Sequence, residues 1–402
     1  MNIHKPEKRL KLALSKLDAD PKISEINKKL IHEFIDYIQS IEQLSHPRAL
    51  KYVYCLKVIL PMLETDFDKI TKENVIHFLK HCNTSTDKEE WTKHGYLTAA
   101  KKFYTWMLKE KTIREKTVKA AVKQLAELRI KRAKSRQKTP EHILSPEEVL
   151  KIADKTKNSR DRAFVLAFYE SCCRIGEILP VKIKDCQFDQ YGCKIYITGK
   201  TGVRPIRLIA SQPAISNWLS NHPDRENPDA FLFCGIGRTN LKQMLSYTSA
   251  RQAVFEAADK AGIKKRVNLH KFRASRATEL SKTLSDTVIC KIGGWVPGSQ
   301  ELQQYLYLSG KDTDDAILEI NGLIKKKDSG NGFTMVVCPR CNTPNSPGSK
   351  FCGNCSLGMD TKTMMTFEQT KEDVMGDIVD LFKDKEDALK TLEKIAKIIR
   401  NK

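Results

Sequence analysis

The chain has 402 residues, 40% of them hydrophobic, and its 70 Lys and Arg against 49 Asp and Glu leave a formal charge of +21. That length implies about two to three domains at roughly 150 residues each, and the charge calls for a polyanionic partner such as nucleic acid or, less readily, an acidic membrane surface. No run approaches the ~18 apolar residues of a membrane span and lysines interrupt the N-terminal segment, so a membrane protein is excluded and a cytoplasmic location is expected.

From about Pro21 to Leu128 the pattern is helical. Leu97, Ala100, Phe103, Tyr104, Met107 and Leu108 form one apolar stripe over Asp87 to Lys109, the spacing of an amphipathic helix. Further helices are predicted at about Pro21 to Ser40, Pro47 to Leu63 and Thr71 to His81, which makes a small bundle of four or five. A run with six basic residues in ten follows: Arg129, Lys131, Arg132, Lys134, Arg136 and Lys138. By itself such a run is a solvated charge stretch; between two domains it is a candidate contact for phosphates.

A second domain opens at Leu144-Ser145-Pro146-Glu147-Glu148, where serine as N-cap, proline at the first helical position and glutamates in the first turn start a helix. Helical pattern runs through Arg162 to Ser171 and ends near Leu179. Val181 to Leu208 reads as two strands joined by a glycine-containing turn. Helices are then predicted at Ala214 to Ser220, Arg238 to Ala261, His270 to Lys282 and Asp286 to Gly293. A helix at Lys311 to Lys327 and an amphipathic tail from about 365 to 402 complete the pattern.

Twelve cysteines are present, eight of them at irregular spacings in apolar or helical patterns, as small buried hydrophobes in a reducing compartment would be. The other four form two C-x-x-C pairs, Cys338 with Cys341 and Cys352 with Cys355. Paired knuckles with Pro, Gly and Asn in the turns resemble a short zinc ribbon, in which four thiolates close a structural tetrahedron around one zinc ion.

The chemistry-bearing residues come in a fixed order: Arg174 and Glu177 in Cys-Cys-Arg-Ile-Gly-Glu, Lys200 in Thr-Gly-Lys, His270 and Arg273 in His-Lys-Phe-Arg, Trp295 after Gly-Gly, and Tyr305 with Tyr307 beyond. Attack by a phenol of pKa ~10 on a phosphodiester needs fixed positive charge and proton transfer. Arginine supplies the first, because its planar fork stays protonated and grips two phosphate oxygens. His270 and Arg273, three apart, share one helix face.

This ordered set resembles the tyrosine recombinase/integrase family over roughly the first 320 residues. The resemblance implies a multidomain, mainly α protein: a helical core-binding (SAM-like) bundle at 1–133, a basic linker at 134–143, an α+β DNA breaking-rejoining catalytic domain with a small sheet at 144–327, a zinc ribbon at 334–360 and a helical tail at 365–402. It implies that Arg174 and Arg273 hold the scissile phosphate, that Glu177 buttresses Arg174, and that Lys200 protonates the leaving 5′-oxygen. His270 would assist proton transfer or bind the phosphate. Trp295 stands where many members have histidine; its indole donates but cannot accept a proton, so it would donate to the phosphate or support the nucleophile. Tyr305 is favoured as the nucleophile, and Tyr307 occupies the place where members often have a histidine.

The implied activity is site-specific cutting and rejoining of double-stranded DNA through a 3′-phosphotyrosyl intermediate, by a tetramer on paired sites, with no membrane. Bond energy kept in the covalent link leaves no need for a nucleotide or catalytic metal. Two other readings share these residues: a catalytically silent zinc-ribbon DNA-binding regulator on the same scaffold, and a type IB topoisomerase-like relaxase.

Overall fold

The computed structural model describes residues 6–131, 140–200, 202–298, 300–307, 310–323 and 333–381. The chain divides into two compact units, residues 1–137 and 138–402.

Among its described residues the first unit holds six helices: α1 (Pro6–Asp18), α2 (Glu25–Ser40), α3 (His46–Leu63), α4 (Lys72–Thr84), α5 (Glu90–Glu110) and α6 (Lys116–Ala126). Their starts are set by local hydrogen bonds. Ser24 accepts from the Asn27 N–H ahead of α2, and Thr71 and Asn74 cap α4 reciprocally, each satisfying donors that a helix N-terminus leaves open. Phe34, Phe67, Phe103 and Tyr104 are fully buried at its centre. Phe103 meets Phe34 edge-on at 5.2 Å and Phe67 at 4.7 Å, a geometry that adds to the roughly 1.5–3 kcal/mol gained by burying each side chain. Helix α1 adds Leu10, Ala13 and Leu17 to this core; the three apolar positions are hidden among lysines, and the N-terminal segment carries no helix expectation. Arg129 and Lys131 end this unit exposed; Arg132, Lys134, Arg136 and Lys138 lie outside the described residues.

The second unit is built around α8 (Ser159–Ser171), whose residues from Ala163 to Ser171 are all buried. Helix α7 (Pro146–Asp154) starts at the Ser145–Glu148 capping box as expected, and α9 (Ile175–Ile178) follows α8 after the left-handed Cys172. The β-like stretch holds three antiparallel strands rather than two: β1 (Cys186–Asp189), β2 (Gly192–Gly199) and β3 (Gly202–Leu208), in the order β1-β2-β3. The short first strand was missed because its outward face, Phe188 included, is exposed. Glu170 of α8 accepts from the N–H groups of Ile209, Ala210 and Ser211, which anchors the end of β3 and the start of α10 (Gln212–Ser220) to the central helix.

The helix expected from Arg238 starts only at Tyr247, as α11 (Tyr247–Lys260). Leu241 and Leu245 mimic helical spacing, but Gly235 and Leu245 donate to Gln243 and Phe233 carbonyls, so the segment folds back on Phe233–Gly235 before Ser246 caps the helix. Then come α12 (Leu269–Ser281), α13 (Asp286–Gly293), a single 3-10 turn at Leu302–Gln304 and α14 (Gly310–Ile320). The end of the helix expected at Lys311 to Lys327 falls outside the described residues. Strands β4 (Val336–Val337) and β5 (Pro344–Asn345) pair antiparallel, and α15 (Thr361–Leu381) follows. The tail beyond 381 also lies outside the described residues. No helix of the described residues is long and apolar enough to cross a membrane.

Candidate active site and metal centre

Residues far apart in the second unit meet at the C-terminus of α13. That helix ends on Gly294 in the left-handed region at φ +68°, and its last carbonyls point outward at the negative end of the helix dipole. Three guanidinium groups use them. Arg174 Nη1 donates to Gly294 O at 3.4 Å, Arg273 Nη1 to Gly293 O at 2.8 Å, and Arg204 to Ile292 O and Gly293 O at 2.9 and 3.2 Å. Glycine is required at 293 because a Cβ there would lie 2.0 Å from the Trp295 ring.

Glu177 is buried and sits between two of the arginines. Its Oε1 accepts from Arg174 Nη1 at 3.0 Å and its Oε2 from Arg204 Nη2 at 2.7 Å and from the Arg174 N–H at 2.9 Å. Burial opposes its ionisation, but the bonds from Arg204 and the Arg174 N–H outweigh it and hold the carboxyl below the usual carboxylate range. The carboxylate is therefore a fixed anion that keeps both guanidiniums in place.

Arg273 is almost fully buried and donates also to Cys172 O at 2.7 Å, while its guanidinium carbon lies 3.7 Å from the centre of the Trp295 ring. Its Nε and Nη2, together with Trp295 Nε1, are buried with no hydrogen-bond partner among the described residues. Unpartnered donors of this kind are costly, and several around one arginine are what a bound anion satisfies.

The Tyr305 ring lies 4.9 Å from Trp295, 5.0 Å from His270 and 5.3 Å from the Arg273 guanidinium carbon. Its backbone is tied to α12 by Thr278, whose hydroxyl donates to Tyr305 O and whose oxygen accepts from the Tyr307 N–H, both at 3.0 Å. Tyr307 instead lines a separate cavity of about 340 Å³ with Lys265, Thr278, Lys282 and Asp312. His270 is solvent-accessible at the rim of the site. Partial desolvation, then the charges of Arg273 and Arg174, hold its pKa below the ordinary histidine value, so the ring is neutral at pH 7. Burial pushes the Cys172 thiol up to about 11, which leaves it protonated and inert beside Arg273.

Lys200 is exposed at the tip of the β2–β3 hairpin. Gly199 before it approaches the charged cluster so closely that a Cβ there would lie 2.7 Å from Glu177 Oε1. Arg174, Glu177, His270, Arg273, Trp295 and Tyr305 are thus brought together, with the hairpin of Lys200 against them. Arg204 belongs to the same cluster and was missed; the only sequence signal was an arginine on the strand after the lysine turn.

The four cysteines form a second centre. Their sulfur atoms all lie within 4.8 Å of one another, with Cys338 and Cys355 3.6 Å apart and Cys341 and Cys352 3.5 Å apart. A tetrahedron with ~2.3 Å bonds has edges of roughly 3.8 Å, so the sulfurs are disposed to hold one metal ion. The two knuckles share one geometry. Cys338 N donates to Thr343 O and Cys352 N to Leu357 O, while Asn342 and Ser356, which follow the second cysteine of each pair, take φ of 53° and 57°. This module rests on the second unit: Arg162 Nη2 donates to Pro347 O at 3.4 Å, Lys350 pairs with Asp154 at 3.6 Å, and the Phe333 ring meets Tyr169 of α8 at 4.8 Å.

Comparison with known proteins places these observations. The profile of the Phage integrase family matches residues 142–310, and that of the Phage integrase N-terminal SAM-like domain matches residues 31–111. Tyrosine recombinase slr0733 of Synechocystis sp. is 30% identical over 136 residues, 33% of this chain and 43% of the relative. Tyrosine recombinase XerA of Pyrococcus furiosus is 29% identical over 188 residues, 46% and 63% of the two chains. The chain thus spans less than two thirds of these relatives' lengths. The structure of XerH site-specific recombinase bound to difH substrate, a pre-cleavage complex, shares the fold at a TM-score of 0.51 and 17% identity over 77% of this chain and 93% of that one. With both profiles matched in order, and with the arginines, histidine and tyrosine gathered at one site within the span of the larger, the chain belongs to the tyrosine recombinase/integrase family.

Proposed function

We propose that this chain is a site-specific DNA recombinase that cuts and rejoins double-stranded DNA through a 3′-phosphotyrosyl link. The observation that carries the reading is the group of buried, unpartnered donors on Arg273 and Trp295 beside the Tyr305 ring. A phosphate seated there would be held by Arg174 and Arg273 and would accept from the Trp295 indole. The Tyr305 hydroxyl attacks phosphorus and the P–O bond forms. Its proton passes to the neutral His270 imidazole, the P–O5′ bond breaks, and the departing oxygen takes a proton from the Lys200 ammonium. Strand exchange followed by the reverse steps on a second duplex rejoins the DNA.

The relatives' names and the DNA-bound XerH structure support the same reading, as does the net charge of +21. The basic residues Arg129 to Lys138 would meet phosphates across the linker. The assembly is a tetramer on paired sites, working in the cytoplasm, and the cysteine cluster holds one structural zinc. Nothing in the site favours the silent regulator or the relaxase. The test is covalent trapping: incubation with nicked genomic DNA fragments should give a denaturant-resistant protein–DNA adduct at defined positions. No adduct on any fragment, or adducts scattered without sequence preference, would refute the reading.

Two further outcomes follow from the site. Arg273→Lys keeps a positive charge but loses the fork, and it should lower the rate of adduct formation by about 10²–10³-fold, as removal of a donor aimed at developing charge does. A rate within tenfold of the wild type, in a protein of unchanged melting temperature, would remove Arg273 from the chemistry. For pH, the neutral form of His270 is the active one, so the rate should fall as pH drops through its lowered pKa, below the ordinary ~6.5. Because the unfolded chain binds this proton more tightly than the folded one, stability should also decline in the same direction, below about pH 6.5. His270→Asn should abolish the acid limb of the rate profile; a limb that persists belongs to another group.

A further inference from the structure

We infer that Arg204 is a positioning residue for the reaction proposed above, on which this inference rests: it locks the hairpin that carries Lys200 against the Arg174–Glu177 pair and the C-terminus of α13, and so sets where the lysine ammonium meets the leaving oxygen.

Lys200 sits on a turn whose flanking residues Gly199 and Gly202 are paired in the β2–β3 register, and Arg204 lies opposite Ile197 on the same hairpin. An exposed lysine on a four-carbon stem has no fixed direction of its own. Its placement to within the distance a proton transfer demands must come from the hairpin beneath it. Arg204 supplies the attachment. Its Nε donates to Ile292 O at 2.9 Å, and its Nη2 reaches both Gly293 O at 3.2 Å and Glu177 Oε2 at 2.7 Å. The other oxygen of that carboxylate holds Arg174 Nη1 at 3.0 Å. One carboxylate therefore joins the hairpin arginine to the phosphate-facing arginine, and a shift of Arg204 would carry Glu177 with it.

The remaining nitrogen, Nη1, lies in a slot made by two glycines. A Cβ at Gly199 would lie 2.9 Å from it and one at Gly294 2.6 Å from it, so the backbone just before Lys200 closes directly on the guanidinium. Arg204 has its polar atoms within the protein, not toward the open side of the site: its side chain is 11% exposed and Nη1 is buried. It acts through its neighbours. Lysine at 204 could reach one of these acceptors but not the fork of three.

The experiment compares two nicked DNA substrates that differ only at the bridging 5′ atom of the scissile phosphate, oxygen in one and sulfur in the other. A thiolate leaves without a general acid, since thiols have pKa values near ~8.5. The wild type should form the adduct on both; failure on both refutes the recombinase reading itself and is thereby separable. Arg204→Lys and Arg204→Gln should bind DNA within about threefold of the wild type, lose about 100-fold or more in adduct rate on the oxygen substrate, the scale of general-acid catalysis, and recover to within about tenfold on the sulfur substrate. Lys200→Ala should show the same pattern. Gly199→Ala, which keeps Arg204 but whose Cβ would press on both Arg204 Nη1 and the Glu177 Oε1 that is joined to it, serves where the Arg204 variants fail to fold, and it should reproduce the sulfur-specific rescue. The inference is overturned if the folded variants react at the wild-type rate on the oxygen substrate, or if both substrates are slowed equally, which would place Arg204 with the phosphate grip or the general fold.

Discussion

Tyr305→Phe is expected to abolish the covalent protein–DNA adduct, whereas Tyr307→Phe should retain it. The substitution removes one oxygen and leaves the ring that packs at 4.9 Å from Trp295 and 5.0 Å from His270, so the loss cannot be ascribed to a disturbed core. Without the hydroxyl no phosphorus–oxygen bond can form, and DNA binding should persist within a few-fold because the arginines are untouched. The second tyrosine is the informative control. Tyr307 lines a cavity with Lys282 and Asp312 and its backbone N–H is held by Thr278. Adduct formation scored on a denaturing gel, with peptide mapping of the DNA-linked fragment, decides between them. An adduct retained by Tyr305→Phe and lost in Tyr307→Phe would reverse the assignment.

Chelation of the zinc proposed for the Cys338, Cys341, Cys352 and Cys355 cluster is expected to unfold the surrounding module and to lower the melting temperature of the whole second unit. The module has two strands of two residues each, β4 and β5, and few buried apolar side chains beyond Phe333, Cys338 and Cys352. So small a core does not fold unaided, and in such modules metal binding supplies the folding free energy.

The effect should reach the catalytic residues. Phe333 packs on Tyr169 of α8 and on Arg276 of α12, and those two helices lead to Arg174 and carry Arg273. Elemental analysis should find one zinc per chain, and chelation, or Cys338→Ser, should depress the melting transition and slow adduct formation together. A purified chain without metal, or one whose melting is unmoved by chelation, would refute the structural role.

How much of this could be read from the chain depends on the range over which each signal acts. The capping box at Ser145 and Glu148 and the helix of Asp286 to Gly293 were legible because their determinants lie within a turn of one another. The same holds for the paired C-x-x-C knuckles, whose thiolate spacing is set by each short loop. Periodicity misled at Arg238 to Leu245, where leucines at helical spacing belong to a segment that bonds back to Phe233–Gly235. It was overlooked at α1, where Leu10, Ala13 and Leu17 form a stripe among lysines.

The residue types, their order, the positive charge and the two cysteine pairs are properties of the chain itself, and they sufficed for the family, the mainly helical architecture and the set of side chains to consider. Folding selected among them. It put Tyr305 against Trp295 and His270, brought Arg204 to carbonyls nearly ninety residues away, and seated the cysteine module on α7 and α8. The division has a physical cause. Caps, turns and knuckles are made by hydrogen bonds between near neighbours, whereas a buried arginine finds its acceptors only after distant helices have packed and closed the site around it.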